Sequence, residues 1–132
     1  METNFNFKSS VCTSKEQSER LLALGLKKET ADMTIHIKSN GDWYVTAEPF
    51  YEWEDDMNTL PSLEEPEQIL PAWSLHRLLL LIPKEVNIYG CRFPLRSDAL
   101  MRMNEADDMY EYTIGVLERT IKEGYFNKEY LT

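Results

Sequence analysis

Residues Thr34-Ile35-His36-Ile37-Lys38 alternate polar and apolar side chains with a period of two and are rich in β-branched types. That is the pattern of a half-buried strand. Ser39-Asn40-Gly41-Asp42 follows, with Asn-Gly at its centre, and Trp43-Tyr44-Val45-Thr46-Ala47 returns as a second strand. The segment 34–47 therefore predicts a β-hairpin. The alternation sets His36 against Ile35 and Ile37, on the outward side. Before the hairpin, Thr13-Ser14-Lys15-Glu16-Gln17 holds two overlapping capping boxes, Thr13 with Glu16 and Ser14 with Gln17. Leu21, Leu22 and Leu24 follow, and Gly25 offers a left-handed stop, so a helix is expected from about Ser14 to Leu24. Asn4 to Phe7 alternates weakly and allows a short strand. Leu26 to Met33 reads as a helical turn or tight loop.

Downstream of the hairpin the periodicity breaks. Pro49, Pro61 and Pro66 interrupt residues 48–70, and acids fill the spaces between aromatics, which predicts a long surface loop. Pro71 opens a new element, in which Ser74 caps a helix that runs through His76 to about Ile82 and is closed by Pro83. Leu75, Leu78, Leu79 and Ile82 form its stripe, with Leu80 and Leu81 widening it. Val86 to Tyr89 is strand-like and Gly90 permits a turn. Cys91 to Leu95 suits an edge strand, because Pro94 donates no hydrogen bond. Ala99 to Met103 reads as a further strand. Asn104 then caps a last helix, with Glu105, Asp107 and Asp108 in its first turn and Gly124 at its end. Short hairpin-linked strands without β-α-β alternation predict an α+β fold. The expectation is a small antiparallel sheet, hairpin 34–47 plus strands over about 86–103, packed with two or three helices.

With 132 residues the chain has the size of one domain, 1–132, able to bury roughly two-thirds of its unfolded surface without metals or disulfides. Its two cysteines, Cys12 and Cys91, are isolated and read as buried thiols of a reducing compartment. Leu78 to Ile82 is the longest apolar run, far short of the roughly twenty residues a membrane span needs. The N-terminus shows no signal-peptide pattern. A soluble, cytoplasmic protein without a membrane partner is expected.

Charge changes the picture more than composition does. Residues 1–47 carry six basic and six acidic residues, and residues 68–132 carry eight and nine. Residues 48–67 carry eight acids and no base, so nearly all of the net charge of −9 sits there. Within it, Phe50, Tyr51, Glu52, Trp53, Glu54, Asp55 and Asp56 combine aromatic area with negative charge. Such a mixture suits docking to a basic protein, the aromatics anchoring and the acids steering. The acids also offer oxygen ligands to a hard cation, but their spacing does not match an EF-hand loop. No cofactor or metal site is expected.

Catalytic signatures are missing from the sequence. No nucleophile elbow, zinc-binding His-Glu-x-x-His or phosphate-cradling glycine loop is present. His36 and His76 are single histidines, and a Cys91–His76 pair depends on the fold bringing them together. Residues 14–33 have the outline of a helix-turn-helix around Leu24-Gly25-Leu26. Against it stand Leu21 four residues before the glycine, a short second helix with only Lys27 and Lys28, and an acidic balance that opposes phosphate. Arg92, Arg96 and Arg102 are scattered among acids such as Glu85 and Asp98.

Three segments carry a resemblance. They are Cys12-Thr13-Ser14-Lys15-Glu16-Gln17-Ser18, Leu24-Gly25-Leu26-Lys27-Lys28-Glu29-Thr30-Ala31-Asp32-Met33 and Leu70-Pro71-Ala72-Trp73-Ser74-Leu75-His76-Arg77-Leu78-Leu79. Together they resemble small uncharacterised proteins carried by phages, prophages and mobile elements of gut bacteria. The resemblance covers about half the chain and implies a cytoplasmic accessory protein, with no activity or site residues attached. The leading expectation is a non-enzymatic binding or accessory protein acting through protein–protein contact. The alternatives are a small enzyme or metal-dependent protein whose site assembles only in the fold, and a helix-turn-helix DNA-binding regulator.

Overall fold

The computed structural model of the chain describes residues 10–50 and 68–132. Its architecture is α+β. Helix α1 spans Lys15–Ala23, strand β1 Met33–Ile37 and strand β2 Trp43–Thr46. Strand β3 is Gln68–Ala72, followed by helix α2, Leu75–Leu81. A ribbon of β4, Val86–Ile88, and β5, Cys91–Phe93, precedes helix α3, Leu95–Met103, and helix α4, Met109–Lys122.

The main sheet has the order β2-β1-β3, antiparallel throughout. The hairpin forms as its sequence predicts. Lys38 N–H donates to the Asp42 carbonyl at 2.7 Å, and Gly41, at φ 92°, turns the chain in the left-handed region that glycine accepts without strain. The third strand is a correction. Residues 68–72 were expected in the loop and at a helix start, yet they pair with all five residues of β1. Pro71 misleads a local reading, but β3 is an edge strand, where a missing N–H costs no ladder bond.

The ribbon is a second correction. β4 and β5 pair only with each other among the described residues and do not extend the hairpin's sheet. Ala99–Met103 is not a strand but the second half of α3. Leu95, Ala99 and Met103 recur every four residues, and the last two are buried against the helical core. Asn104 ends α3 instead of starting α4. Asp108 caps α4, its carboxylate accepting from Glu111 N–H at 3.1 Å.

Helix ends elsewhere follow the sequence. Ser14 and Gln17 complete a reciprocal capping box, while Thr13 turns inward. Ser74 caps α2 and accepts from Arg77 N–H at 3.1 Å. Arg96 donates to the carbonyls of Ile82 and Leu80, both at 2.9 Å, and so closes the C-terminal end of α2.

The main core lies among the helices. Leu21, Leu26, Trp73, Leu78, Ile82, Ile114 and Leu117 are its fully buried members. Trp73 stands at the junction of sheet and helices. A smaller cluster of Cys12, Ile35 and Ala72 lies on one sheet face. Residues 128–132 return to α1's end, where Lys27 N–H meets the Tyr130 carbonyl at 2.8 Å and Thr132 N–H the Gly25 carbonyl at 2.7 Å.

Candidate functional site

Of the acidic, aromatic stretch singled out in the sequence, Phe50 is described and buried, with Lys28 Nζ 5.9 Å from its ring centre. As it stands, that ring is packing, not a surface anchor. Tyr51, Glu52, Trp53, Glu54, Asp55 and Asp56 lie outside the described residues, as does the strand suggested for Asn4 to Phe7.

The titratable candidates stand on separate elements. His36 does not face outward. It is fully buried, stacks on Tyr44 at 4.5 Å and meets Thr46 Oγ1 through Nε2 at 2.9 Å. The alternation places it correctly opposite Ile35, but both faces of β1 are covered. On the His36 side, Thr34 Oγ1 donates to the Glu48 carbonyl at 2.8 Å. His76 is exposed on α2. Cys12 is buried, and burial first and the negative Asp32 second push its thiol up to about 11. It therefore remains protonated at neutral pH and is a poor nucleophile. Cys91, expected to be buried, is exposed on the ribbon. Both thiols are free. Among the described residues no group of three or more His, Cys, Asp or Glu is placed to hold a metal ion.

The helix-turn-helix outline dissolves in the same way. After α1, residues Lys28–Thr30 make one 3-10 turn and β1 begins at Met33, so no recognition helix follows. The three arginines also separate. Arg96 caps α2, Arg102 pairs with Asp98 at 3.0 Å, and Arg92 lies on the ribbon opposite Asn87.

What the fold does build is a groove of about 810 Å³ between the ribbon and helices α3 and α4. Its ribbon wall follows from register. Val86 pairs with Phe93 and Ile88 with Cys91, which puts these four on one face, and Asn87 and Arg92 on the other. Val86, Ile88 and Phe93 line the groove, facing Ala99 of α3, Val116 of α4 and Tyr125 beyond it. Ile88, Phe93 and Tyr125 each expose more than a third of their surface. Charges of both signs stand around this apolar lining: Arg102 and Arg119 against Asp98, Glu105 and Glu123.

The ribbon's tip bears the most unusual residue of the fold. Tyr89 and Gly90 have φ of 52° and 81°, so both central turn positions are left-handed, as in a type I′ hairpin. Glycine adopts this freely. A tyrosine there costs roughly 1–2 kcal/mol. Tyr89 recovers nothing by packing, since its side chain is 102% exposed. It is the one non-glycine residue with positive φ among those described.

A second groove, of about 630 Å³, runs along the sheet face of Ile35, Ile37 and Val45, bounded by residues 10–17. Trp43 stands at it, 68% exposed.

No protein-family profile, curated protein or solved structure matches this chain. Sequence reasoning missed Tyr89 because nothing in a pattern of types marks a residue as strained. The available signal was Gly90 between two short β-like runs, which places the preceding residue at the first turn position.

Proposed function

We propose that this chain is a non-enzymatic binding protein that acts through protein–protein contact at the groove between the β4–β5 ribbon and helices α3 and α4. One observation carries the reading. An aromatic side chain is held fully exposed, on strained backbone, at the tip of the ribbon whose other residues, Val86, Ile88 and Phe93, line an apolar groove. Neither cost is repaid within the chain, and such uncompensated strain concentrates where a protein meets something else. Tyrosine is also among the side chains that most often anchor interfaces. The resemblance to phage and mobile-element proteins fits an accessory role in such an element. The eight acids of residues 48–67 suit the recruitment of a basic protein, by steering at long range.

The test is affinity capture from a bacterial lysate with the wild-type chain, a Tyr89→Gly, Phe93→Ser double variant and Trp43→Ser. A protein retained by wild type and Trp43→Ser but lost from the double variant supports the groove. Retention by all three removes the reading. A second capture with residues 52–56 neutralised, at low and moderate salt, reads the electrostatic contribution separately.

A further inference from the structure

We infer that Asn40 is a self-modifying residue, converted with loss of ammonia to aspartate and isoaspartate by attack of the Gly41 backbone nitrogen on its side-chain amide. Of the chain's seven asparagines, Asn40 alone precedes a glycine. The turn between β1 and β2 is exposed from Lys38 to Tyr44. Gly41, at φ 92°, has nothing among the described residues within 4 Å of the place a Cβ would fill, so no side chain screens the approach to its nitrogen. The amide it attacks is held at both ends by one residue. Asp42 N–H donates to Asn40 Oδ1 at 2.9 Å, and Asn40 Nδ2 donates to Asp42 Oδ2 at 3.2 Å. The first bond closes a ring that contains the Gly41 nitrogen, which keeps Asn40 Cγ folded back toward it. The same N–H faces the oxygen on which charge develops during attack, as a backbone donor does in an oxyanion hole. Gly41 N–H is itself bonded to the Lys38 carbonyl at 3.0 Å. At an exposed hairpin end such a bond opens locally, without global unfolding.

Water and its hydroxide are the only other reactants. Hydroxide takes the Gly41 N–H proton, and the nitrogen forms a bond to Asn40 Cγ. Collapse of the tetrahedral adduct breaks the Cγ–Nδ2 bond, and ammonia leaves with a proton from water, which restores the hydroxide. A cyclic succinimide remains. Water then opens it at either carbonyl: at Cγ it leaves aspartate, and at the backbone carbonyl it leaves isoaspartate, with the chain now running through Cγ. Both products add a negative charge, and isoaspartate also adds a carbon to the backbone. That carbon enters a turn closed by the Lys38 N–H bond to the Asp42 carbonyl at 2.7 Å, next to the pairing of Ile37 with Trp43. Gly41 and Trp43 both line the groove on the sheet face, so the modification alters one wall of that groove.

The test is incubation of the full chain from neutral to mildly alkaline pH, folded and in urea. Electron-transfer mass spectrometry of its peptides separates isoaspartate from aspartate. Deamidation at Asn40 should run at least about tenfold faster than at any other asparagine, and no slower in the folded chain than in urea. It should also quicken as pH rises, because the attacking nitrogen must lose its proton. Asp42→Ala keeps the N–H but releases the amide nitrogen, and should slow the reaction in the folded chain while leaving the rate in urea unchanged. Hydrogen exchange at Lys38 should accelerate in the isoaspartate form and not in freshly prepared Asn40→Asp, which adds the charge without the carbon. A folded chain that keeps Asn40 intact while the unfolded chain loses it overturns the inference, as does a folded rate that another asparagine matches. An Asp42→Ala rate equal to wild type in the folded chain overturns the role given to the Asp42 carboxylate.

Discussion

Thr13 and Trp73, sixty residues apart, exchange hydrogen bonds in both directions. Thr13 N–H donates to the Trp73 carbonyl at 2.9 Å, and Trp73 N–H donates to Thr13 Oγ1 at 3.1 Å. Around this pair three segments of the chain, 12–18, 24–33 and 70–79, converge. The indole Nε1 donates to Thr30 Oγ1 at 2.9 Å, and Ser74 donates to Asp32 through its backbone N–H at 2.9 Å and its hydroxyl at 2.6 Å. Those segments therefore form a joint between sheet and helices.

Breaking this joint should be costly. In Thr13→Val the side-chain shape is kept, but the buried Trp73 N–H and the Ser18 hydroxyl, 2.8 Å from Thr13 Oγ1, lose their partner. A loss of about 1–3 kcal/mol is expected, read by urea denaturation. Trp73→Phe should lose at least as much, because it strips the Thr30 hydroxyl of its donor and leaves a void in a fully buried site. A change below a few tenths of a kcal/mol in both variants would contradict the joint.

Asp32 links that joint to thiol chemistry. Its charge raises the Cys12 thiol, second to burial. In the native protein at neutral pH one thiol, Cys91, should react rapidly with Ellman's reagent, and Cys12 only on unfolding. Asp32→Asn should speed the Cys12 reaction at alkaline pH and also weaken the cap on α2. Two equivalents of fast thiol in the wild type would refute this placement.

The pairing of Arg20 with Glu111 gives a pH signature. Hydrogen bonds from Arg20 at 2.8 Å and Gln17 at 3.0 Å hold the Glu111 carboxyl below its ordinary range. A group lowered in the folded state contributes stability that is present above its unfolded pKa and disappears as pH falls through the folded one. Both side chains are nearly half exposed, so the contribution should be at most about 1 kcal/mol. Glu111→Gln should thus be slightly less stable than wild type at neutral pH and low salt. The gap should close as pH drops below the normal glutamate range, and also at high salt. A gap that widens on acidification would reverse the sign argued here.

The returning C-terminal residues form a clasp on the end of α1. Leu131 bridges to Leu26, which is fully buried, and Lys27, Gly25, Tyr130 and Thr132 exchange backbone bonds around it. Removing residues 130–132 opens Leu26 to water and leaves Lys27 N–H without its acceptor. A loss of about 1–3 kcal/mol is expected, combining one buried apolar side chain and one backbone bond. Hydrogen exchange at Lys27 should accelerate well beyond that loss of global stability. Unchanged exchange there would show that the clasp does not hold.

Local chemistry was enough for part of this fold. The hairpin with its Asn40-Gly41 turn, the Ser14–Gln17 box, the Ser74 cap, the glycine stops at Gly25 and Gly124 and the α+β class all follow from interactions within a few residues, which a sequence displays directly. Tertiary structure decided the rest. Residues 68–72 read locally as the end of a loop and the approach to a helix, and only pairing with β1 makes them a strand. Residues 99–103 fit a strand or a helix by type, and burial against the helical core chose the helix. Alternation put His36 on the right face of β1, but its burial, with Tyr44 stacked on it and Thr46 bonded to it, was decided by the fold. The groove and the exposed Tyr89 were hidden for the same reason: a recess is made by elements distant in sequence, and exposure is the absence of a neighbour, which no local pattern records.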